Sequence, residues 1–362
     1  MQPLRRLSVA EQAAAHMRTQ LRQGHWGNKL PGVATLAAAL DVSVTNMQAA
    51  LKQLEAEGLL ETQGPRRSRI ISRHTATQRK LRVGILLHDS PRDNMNQPDP
   101  IMHQLQHALA EAGHEVFLSL RSQVELKHHV QNIVHHIHET PADAWIVAAG
   151  SRPVLEWFAA QPVPCMALYG RTENLPIART GPDKAPAYIV ATKKLITLGH
   201  RRIVLIALRS RRTPTPGNVE QAFLDELAAH QIATGDYNLP DWQETPEGFS
   251  KLLENIFSHT PPTALIVDEI SRMIATLQFL ARHRILVPDH VSLVSPEYDN
   301  SLTWCHPVIA HMRWSYTPIV RRIVRWVNAV KRGCADHKTI NYPVEFIPGG
   351  TIGPAPHSTY KR

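Results

Sequence analysis

SVAEQAAAHMRTQLRQGHWGNKLPGVATLAAALDVSVTNMQAALKQLEAEGLLETQGPRRSRII, residues 8–71, decides how this chain is read. Ser8 and Glu11 have the spacing of a capping box, and Val9, Ala13, Met17 and Leu21 recur every four residues up to Gly24. The spacing predicts one amphipathic helix. Leu30 and Pro31 open a second short segment, GVATLAAAL, whose small side chains let it pack closely on the first. Ser43 is placed to cap a third helix with Met47, Leu51 and Leu54 inward, and with Val44, Thr45, Gln48 and Lys52 on or near its outer side until Gly58 ends it. LLETQ and SRII then alternate or run apolar like a hairpin, with Arg66 and Arg67 in the turn and Arg69 just after it. Three helices and a hairpin wing make a winged helix-turn-helix. The third helix can enter a major groove, and the wing tip can lie on phosphates or in a minor groove.

The charge distribution agrees with double-stranded DNA as the partner. Residues 1–80 hold twelve Lys and Arg against five Asp and Glu, a net of +7, while the whole chain carries +9. Most of the excess therefore sits in under a quarter of the length. Cations on DNA displace condensed counterions and give affinity that is blind to sequence. A solvated basic face on an ordinary helical subdomain is the plainer alternative, and the ordered helix, helix, helix, wing pattern argues against it.

The remaining length, about 280 residues, is enough for a two-lobed α/β unit. With 43% hydrophobic and 20% charged residues the composition is globular, and the 27 prolines lie scattered at element ends. No run approaches the ~18 apolar residues of a membrane span, and the start of the chain lacks a basic-then-apolar signal, so no membrane association and a cytoplasmic location are expected. Cys165, Cys305 and Cys334 are odd in number and have no metal-ligand spacing, which predicts free buried thiols. Of the 21 histidines, His128, His129, His135, His136 and His138 cluster in one predicted helix, where seven-residue steps stack two pairs on one face. Without a Cys or acidic cluster beyond Glu125 and Glu139 a solvated face is expected and no metal site. Neither GxGxxG nor GxxxxGK[ST] occurs, so no phosphate loop and no cofactor are expected.

After a polar, basic linker at 73–80 the chain alternates. LRVGILLH reads as a buried strand, Pro100 to Ala112 as a helix stopped by Gly113, EVFLSL as a strand and VELKHHVQNIVHHIH as a helix. AWIVAA, PVLEWFAA and CMALY continue as strand, helix and strand. The pattern then restarts with APAYIVATKKLITLGH as helix, IVLIAL as strand, two helices in GNVEQAFLDELAAH and EGFSKLLENIFSH, TALIV as strand, SRMIATLQFLARH as helix and VSLVS as strand. The predicted fold is therefore α/β: an N-terminal winged helix-turn-helix (1–72), the linker, and a two-lobed unit of doubly wound parallel sheets (81–362). In such sheets ligands sit beyond the carboxyl ends of the strands.

Residues 8–71 resemble the DNA-binding domain of the GntR family, with its G…LP…LA…VS…AL..LE.EGL run intact. Ala34, Val44 and Gln48 stand where that family usually carries arginines. The resemblance implies that Ser43, Thr45, Asn46, Gln48, Lys52, Arg66, Arg67 and Arg69 meet DNA, with Thr45, Asn46 and Gln48 as polar base readers. An amide to adenine is chemically apt there.

Residues 81–354 resemble the effector domain of LacI-family regulators, related to periplasmic sugar-binding proteins, through LRVGILL, ADAWIVAA, LITLGHRRIVLIA, PPTALIVDE, ILVPDHVSLVS, HPVIAHMR and NYPVEFIPGGTIG in family order. A GntR-type head on this domain resembles chimeric arabinose-responsive repressors. The resemblance implies effector contacts at His88, Asp89, Ser90, Tyr169, Arg171, Asp268, Glu297 and Arg313, with Trp304 or Tyr298 available to stack on a sugar face. The family's arginine before its GF..AL helix is replaced by Asn218 or Val219, and the Asn of its ND pair by Val267. The implied function is a homodimeric transcriptional regulator, most often a repressor, whose operator affinity is set by a small polar effector such as a sugar between two lobes. A regulator with a decayed cleft is the first alternative. A GntR-type head fused to a pyridoxal-phosphate enzyme is the second, and the lack of a strand-end SxxK or GxSxxG constellation disfavours it.

Overall fold

The computed structural model describes residues 8–23, 25–26, 30–63, 68–71, 80–88, 100–297 and 299–356. Residues 64–67, 72–79 and 89–99 lie outside these, and with them the expectations placed on Arg66, Arg67, the linker, Asp89 and Ser90. Two compact units emerge from the contacts. One comprises residues 1–147, 158–166 and 322–337, the other 148–157, 167–321 and 338–362.

The first unit begins with α1 (Val9–Gln23), α2 (Val33–Ala39) and α3 (Val44–Ala56), then β1 (Leu60–Gln63) and β2 (Ser68–Ile71), which pair antiparallel with Leu60 opposite Ile71. This is the predicted winged helix. Its small core is built from Ala13, Ala14, Met17, Leu21, Leu36, Met47, Ala50, Leu51 and Leu54. One detail differs. Val9 is 50% exposed, because it opens the first helical turn, and the buried stripe runs through Ala13, Ala14 and Met17 instead. The capping box forms as expected, Ser8 N donating to Glu11 Oε2 at 2.7 Å and Glu11 N to Ser8 Oγ at 3.2 Å. At its far end α3 stops where Gly58 takes φ +71°, a left-handed conformation that costs glycine little.

The predicted βα alternation follows in β3 (Arg82–Leu86), α4 (Pro100–Glu111), β4 (Glu115–Leu118), α5 (Val130–Glu139), β5 (Ala144–Ala148), α6 (Arg152–Ala159) and β6 (Cys165–Leu168). Two features of this run differ from the sequence expectation. The helix expected over 124–138 is confined to 130–139, because Lys127 and His128 both take positive φ and break the helical repeat. His128 therefore does not stack above His135. A further strand, β7 (Ala178–Asp183), has the sequence ARTGPD, whose glycine and proline conceal it.

The second run comprises α7 (Ala185–Thr197), β8 (Ile203–Ile206), the single turn α8 (Arg209–Arg212), α9 (Asn218–Ala229), α10 (Pro246–His259), β9 (Ala264–Val267), α11 (Ile270–Arg282) and β10 (Ser292–Ser295). A 3-10 turn η1 (Asn300–Trp304), β11 (Ala310–Arg313), α12 (Thr317–Lys331), β12 (Thr339–Pro343) and β13 (Glu345–Ile347) complete the chain. The strands form a six-stranded sheet in the order β12-β7-β6-β5-β3-β4 and a five-stranded sheet in the order β13-β11-β10-β9-β8. In the latter β8, β9, β10 and β11 run parallel while β13 pairs antiparallel with β11. Strands buried on both faces read as continuous apolar runs, which is why IVLI, ALIV and SLVS were legible. Of the three free cysteines only Cys165 is buried; Cys305 is half-buried and Cys334 exposed, which corrects the uniform expectation.

Candidate functional site

On α3 the cap is built as the sequence predicts: Ser43 Oγ accepts from Asn46 N at 3.2 Å. Met47, Ala50, Leu51 and Leu54 turn inward. Val44, Thr45, Gln48, Ala49 and Lys52 are exposed on the opposite side, and Asn46 is half-buried. Arg69 does not stand free. Its Nε lies 2.5 Å from Glu55 Oε1, so the side chain pins the wing to α3. Arg18 of α1 likewise holds Glu57 at the end of α3 through Nη2 to Oε1 at 2.6 Å.

In the second unit the carboxyl ends of the strands converge on a buried ionic cluster. Arg211 sits on the short turn after β8, and its Nη1 donates to Asp268 Oδ2 at 2.7 Å while its Nε lies 3.2 Å from Glu220 Oε1. The two carboxylates are 4% and 3% exposed, the guanidinium side chain 27%. Asp268 follows β9 directly, and Glu220 projects from the first turn of α9. One cation thus neutralises two carboxylates that water hardly reaches. Burial drives the Glu220 carboxyl above the ordinary range despite Arg211. Burial also opposes the charge on Asp268, yet the cations Arg211, Arg272 and Lys184 hold its carboxyl below the usual range. The Tyr188 hydroxyl of α7 is buried beside this cluster without a hydrogen-bond partner among the described residues, and burial pushes it well above its usual value.

Lys184 extends the cluster, its Nζ 2.7 Å from Glu297 Oε1 and 4.5 Å from the centre of the Trp314 ring. Trp314 Nε1 is also buried without a partner among the described residues. Arg171 Nη2 donates to the carbonyls of Ser210, Arg211 and Thr215 at 3.1–3.2 Å and so fixes the loop that carries Arg211. Arg212, its neighbour, is spent differently: Nε donates to Ala207 O at 2.9 Å and Nη1 pairs with Asp241. Of the residues expected from sequence, Asp268, Glu297 and Arg171 therefore gather around one cluster. Tyr169 ends β6 in a left-handed conformation, φ +66°, with its backbone N donating to Thr180 O.

Other expected effector residues are not gathered into this cluster. Arg313 is 53% exposed and pairs with Glu345 on the neighbouring strand, because it lies at the exposed end of β11. Trp304 is 84% exposed on η1, and Tyr298 lies outside the described residues. Asn218 and Val219 open α9, and the arginine of the cluster is Arg211, on the preceding turn. Its sequence context, RSRRTPTPG, reads as loop and gave no signal. Glu220, Tyr188 and Lys184 were missed as well, since each lies in a stretch whose helical period alone was read.

In the first unit His88 follows β3, its ring 5.2 Å from that of His128, and its Nδ1 is buried without a partner among the described residues. Among the described residues no group of three or more His, Cys, Asp or Glu is arranged to hold a metal ion, and no helix is long and apolar enough to cross a membrane.

Residues 9–81 match the family of bacterial regulatory proteins of the gntR type, and residues 192–352 match the periplasmic binding protein-like domain. No curated protein matches the chain. Among solved structures, the lac repressor dimer bound to operator and an anti-inducer superposes with a TM-score of 0.63 at 14% identity, covering 78% of this chain and 97% of that one. The cellobiose complex of the regulator CelR gives 0.62 at 16%, covering 89% and 100%. A LacI-family regulator from Enterococcus faecium with bound ribose gives 0.59 at 15%, covering 75% and 99%. At such identities the likeness establishes the fold. Family and fold point to a transcription regulator.

Proposed function

We propose that this chain, in which a GntR-type DNA-binding domain is joined to a periplasmic-binding-protein-like domain, is a homodimeric repressor whose operator affinity is set by a small polar ligand, a sugar or sugar derivative. The observation that carries the ligand half is the cluster of Arg211, Glu220 and Asp268, with the Tyr188 hydroxyl and Trp314 Nε1 buried nearby without a hydrogen-bond partner among the described residues. A buried polar group without a partner costs free energy unless a ligand or ordered water satisfies it. Carboxylates and a guanidinium bind vicinal hydroxyls in pairs, and an indole packs on the apolar face of a sugar ring. The solved relatives bound to ribose and cellobiose support the same ligand class. Binding that favours one conformation of the chain over another shifts their populations, and a coupling of ~1–3 kcal/mol changes DNA affinity about five- to 150-fold.

The homodimer follows from symmetry, since two heads about a two-fold axis read a palindromic site. Operator binding places the protein with the DNA, in the cytoplasm. Thermal unfolding in the presence of a panel of neutral, acidic and amino sugars identifies the ligand, which stabilises the protein by an increment that grows with the logarithm of its concentration above Kd. A panel that leaves unfolding unchanged would favour a regulator without a small-molecule effector.

A further inference from the structure

The exposed side of α3 carries little charge. Val44, Thr45, Gln48, Ala49 and Lys52 share one face, at helical spacings of one, four, five and eight residues, and all are exposed. Val44 is 48% exposed, an apolar β-branched side chain on the first turn of a helix that has no packing use for it. Ser43 already spends its hydroxyl on the backbone of Asn46, and Asn46 itself is half-buried on the flank. No arginine occurs in 44–56. Arg18 and Arg69, which reach towards the same helix, are held by Glu57 and Glu55.

These features fix the base chemistry that α3 can read. Guanine is recognised chiefly by a bidentate Arg or Lys on its O6 and N7, and residues near the N-terminus of a recognition helix make the base contacts. The only cation on this face, Lys52, stands in the third turn, where a phosphate is the natural partner. What the first two turns offer is one carboxamide and three methyl-bearing side chains. A carboxamide pairs with N6 and N7 of adenine, and methyl groups pack on the C5-methyl of thymine.

Resting on the DNA-binding reading above, we infer that α3 reads A·T base pairs, with Gln48 on adenine and the methyl groups of Val44, Thr45 and Ala49 on thymine. Ser43 caps the helix, its hydroxyl taken by the backbone N of Asn46, whose own side chain is half-buried. Specificity thus comes from a carboxamide and methyl contacts in the major groove rather than from guanidinium pairing.

The full-length protein, used to select from a library of random duplexes, tests this. The inference expects half-sites with A·T at the positions facing the first two turns of α3. In the selected duplex, thymine is then replaced by deoxyuracil and adenine by 7-deazaadenine, one position at a time. Both replacements alter only the major-groove edge, so any minor-groove preference of the wing is left untouched. Loss of a buried methyl should weaken binding about fourfold at each contacted thymine. Loss of N7 at the adenine facing Gln48 should weaken it about fivefold or more. In the Val44→Ala protein, one thymine-to-deoxyuracil step that weakened the wild type should cease to matter. The nucleotide replacements need no protein variant, so the result does not depend on how a variant folds. Selected half-sites with G·C at these positions, or A·T positions indifferent to both replacements, would overturn the inference while leaving DNA binding intact. Failure to enrich any sequence would instead remove the DNA-binding reading, and this inference with it.

Discussion

Replacing Arg211 by Met removes the one guanidinium among the described residues that touches both Asp268 and Glu220, and the outcome measures how the cluster is held. The arginine lies 2.7 Å from one carboxylate and 3.2 Å from the other, and both are almost fully buried. Breaking a buried pair by removing one partner costs about 3–5 kcal/mol, because the remaining charge keeps its desolvation penalty. Here two carboxylates are left, so the upper part of that range applies at neutral pH. Relief comes through Glu220, whose carboxyl burial already raises. A carboxyl raised in the folded state binds protons more tightly than in the unfolded chain. Its favourable contribution is complete below the unfolded pKa and is lost as pH rises through the folded one. The Arg211→Met penalty should therefore be largest near pH 7 and shrink towards pH 5, and Glu220→Gln in the same chain should recover part of it at pH 7. Urea unfolding followed by tryptophan fluorescence at both pH values reads this directly, the transition being taken as that of the second unit. A loss below about 1 kcal/mol, or a penalty that grows on acidification, would refute the electrostatic account.

Three further outcomes follow from local geometry. At Gly248 a Cβ would lie 2.1 Å from the Gln243 carbonyl oxygen, so Gly248→Ala should destabilise by about 1–3 kcal/mol in calorimetry. His200 is buried between Gly353 O and Ser292 Oγ, each 3.0 Å from Nε2, and burial lowers its pKa. Its contribution to stability is present above the ordinary histidine value and fades as pH falls through the folded one, so the His200→Gln protein should show a flatter loss of melting temperature between pH 7 and 5. Ser43→Ala removes the cap of α3 and should cost the DNA-binding head about 1 kcal/mol, read by hydrogen exchange within α3.

Much of this architecture was legible because the chain speaks in two periods. Four-residue recurrence marked α1 and α3, and unbroken apolar runs marked β3, β5, β8, β9 and β10. Illegible elements were those whose conformation is set by tertiary partners. In β7, Gly181 lies against the Tyr169 ring, where a Cβ would come within 2.9 Å of Cδ1, and the resulting ARTGPD carries no strand signature. In the turn over 122–129, left-handed Lys127 and His128 end what looked like one continuous helix. The site shows the same division. Asp268 and Glu297 follow strands and were found by position, whereas Arg211 comes from a proline-rich loop and is identified by the carboxylates it meets.

Operator affinity with and without the stabilising sugar, measured in wild type and in Asp268→Ala, decides whether a ligand held at this cluster controls DNA binding. Glu220 still pairs with Arg211 in that variant, and its cooperative thermal unfolding is checked before the affinities are compared. The sugar should shift wild-type operator affinity about five- to 150-fold, and the variant should bind operator as well as ligand-free wild type but ignore the sugar. A variant that responds normally, or one that stays folded yet loses operator binding, would contradict it.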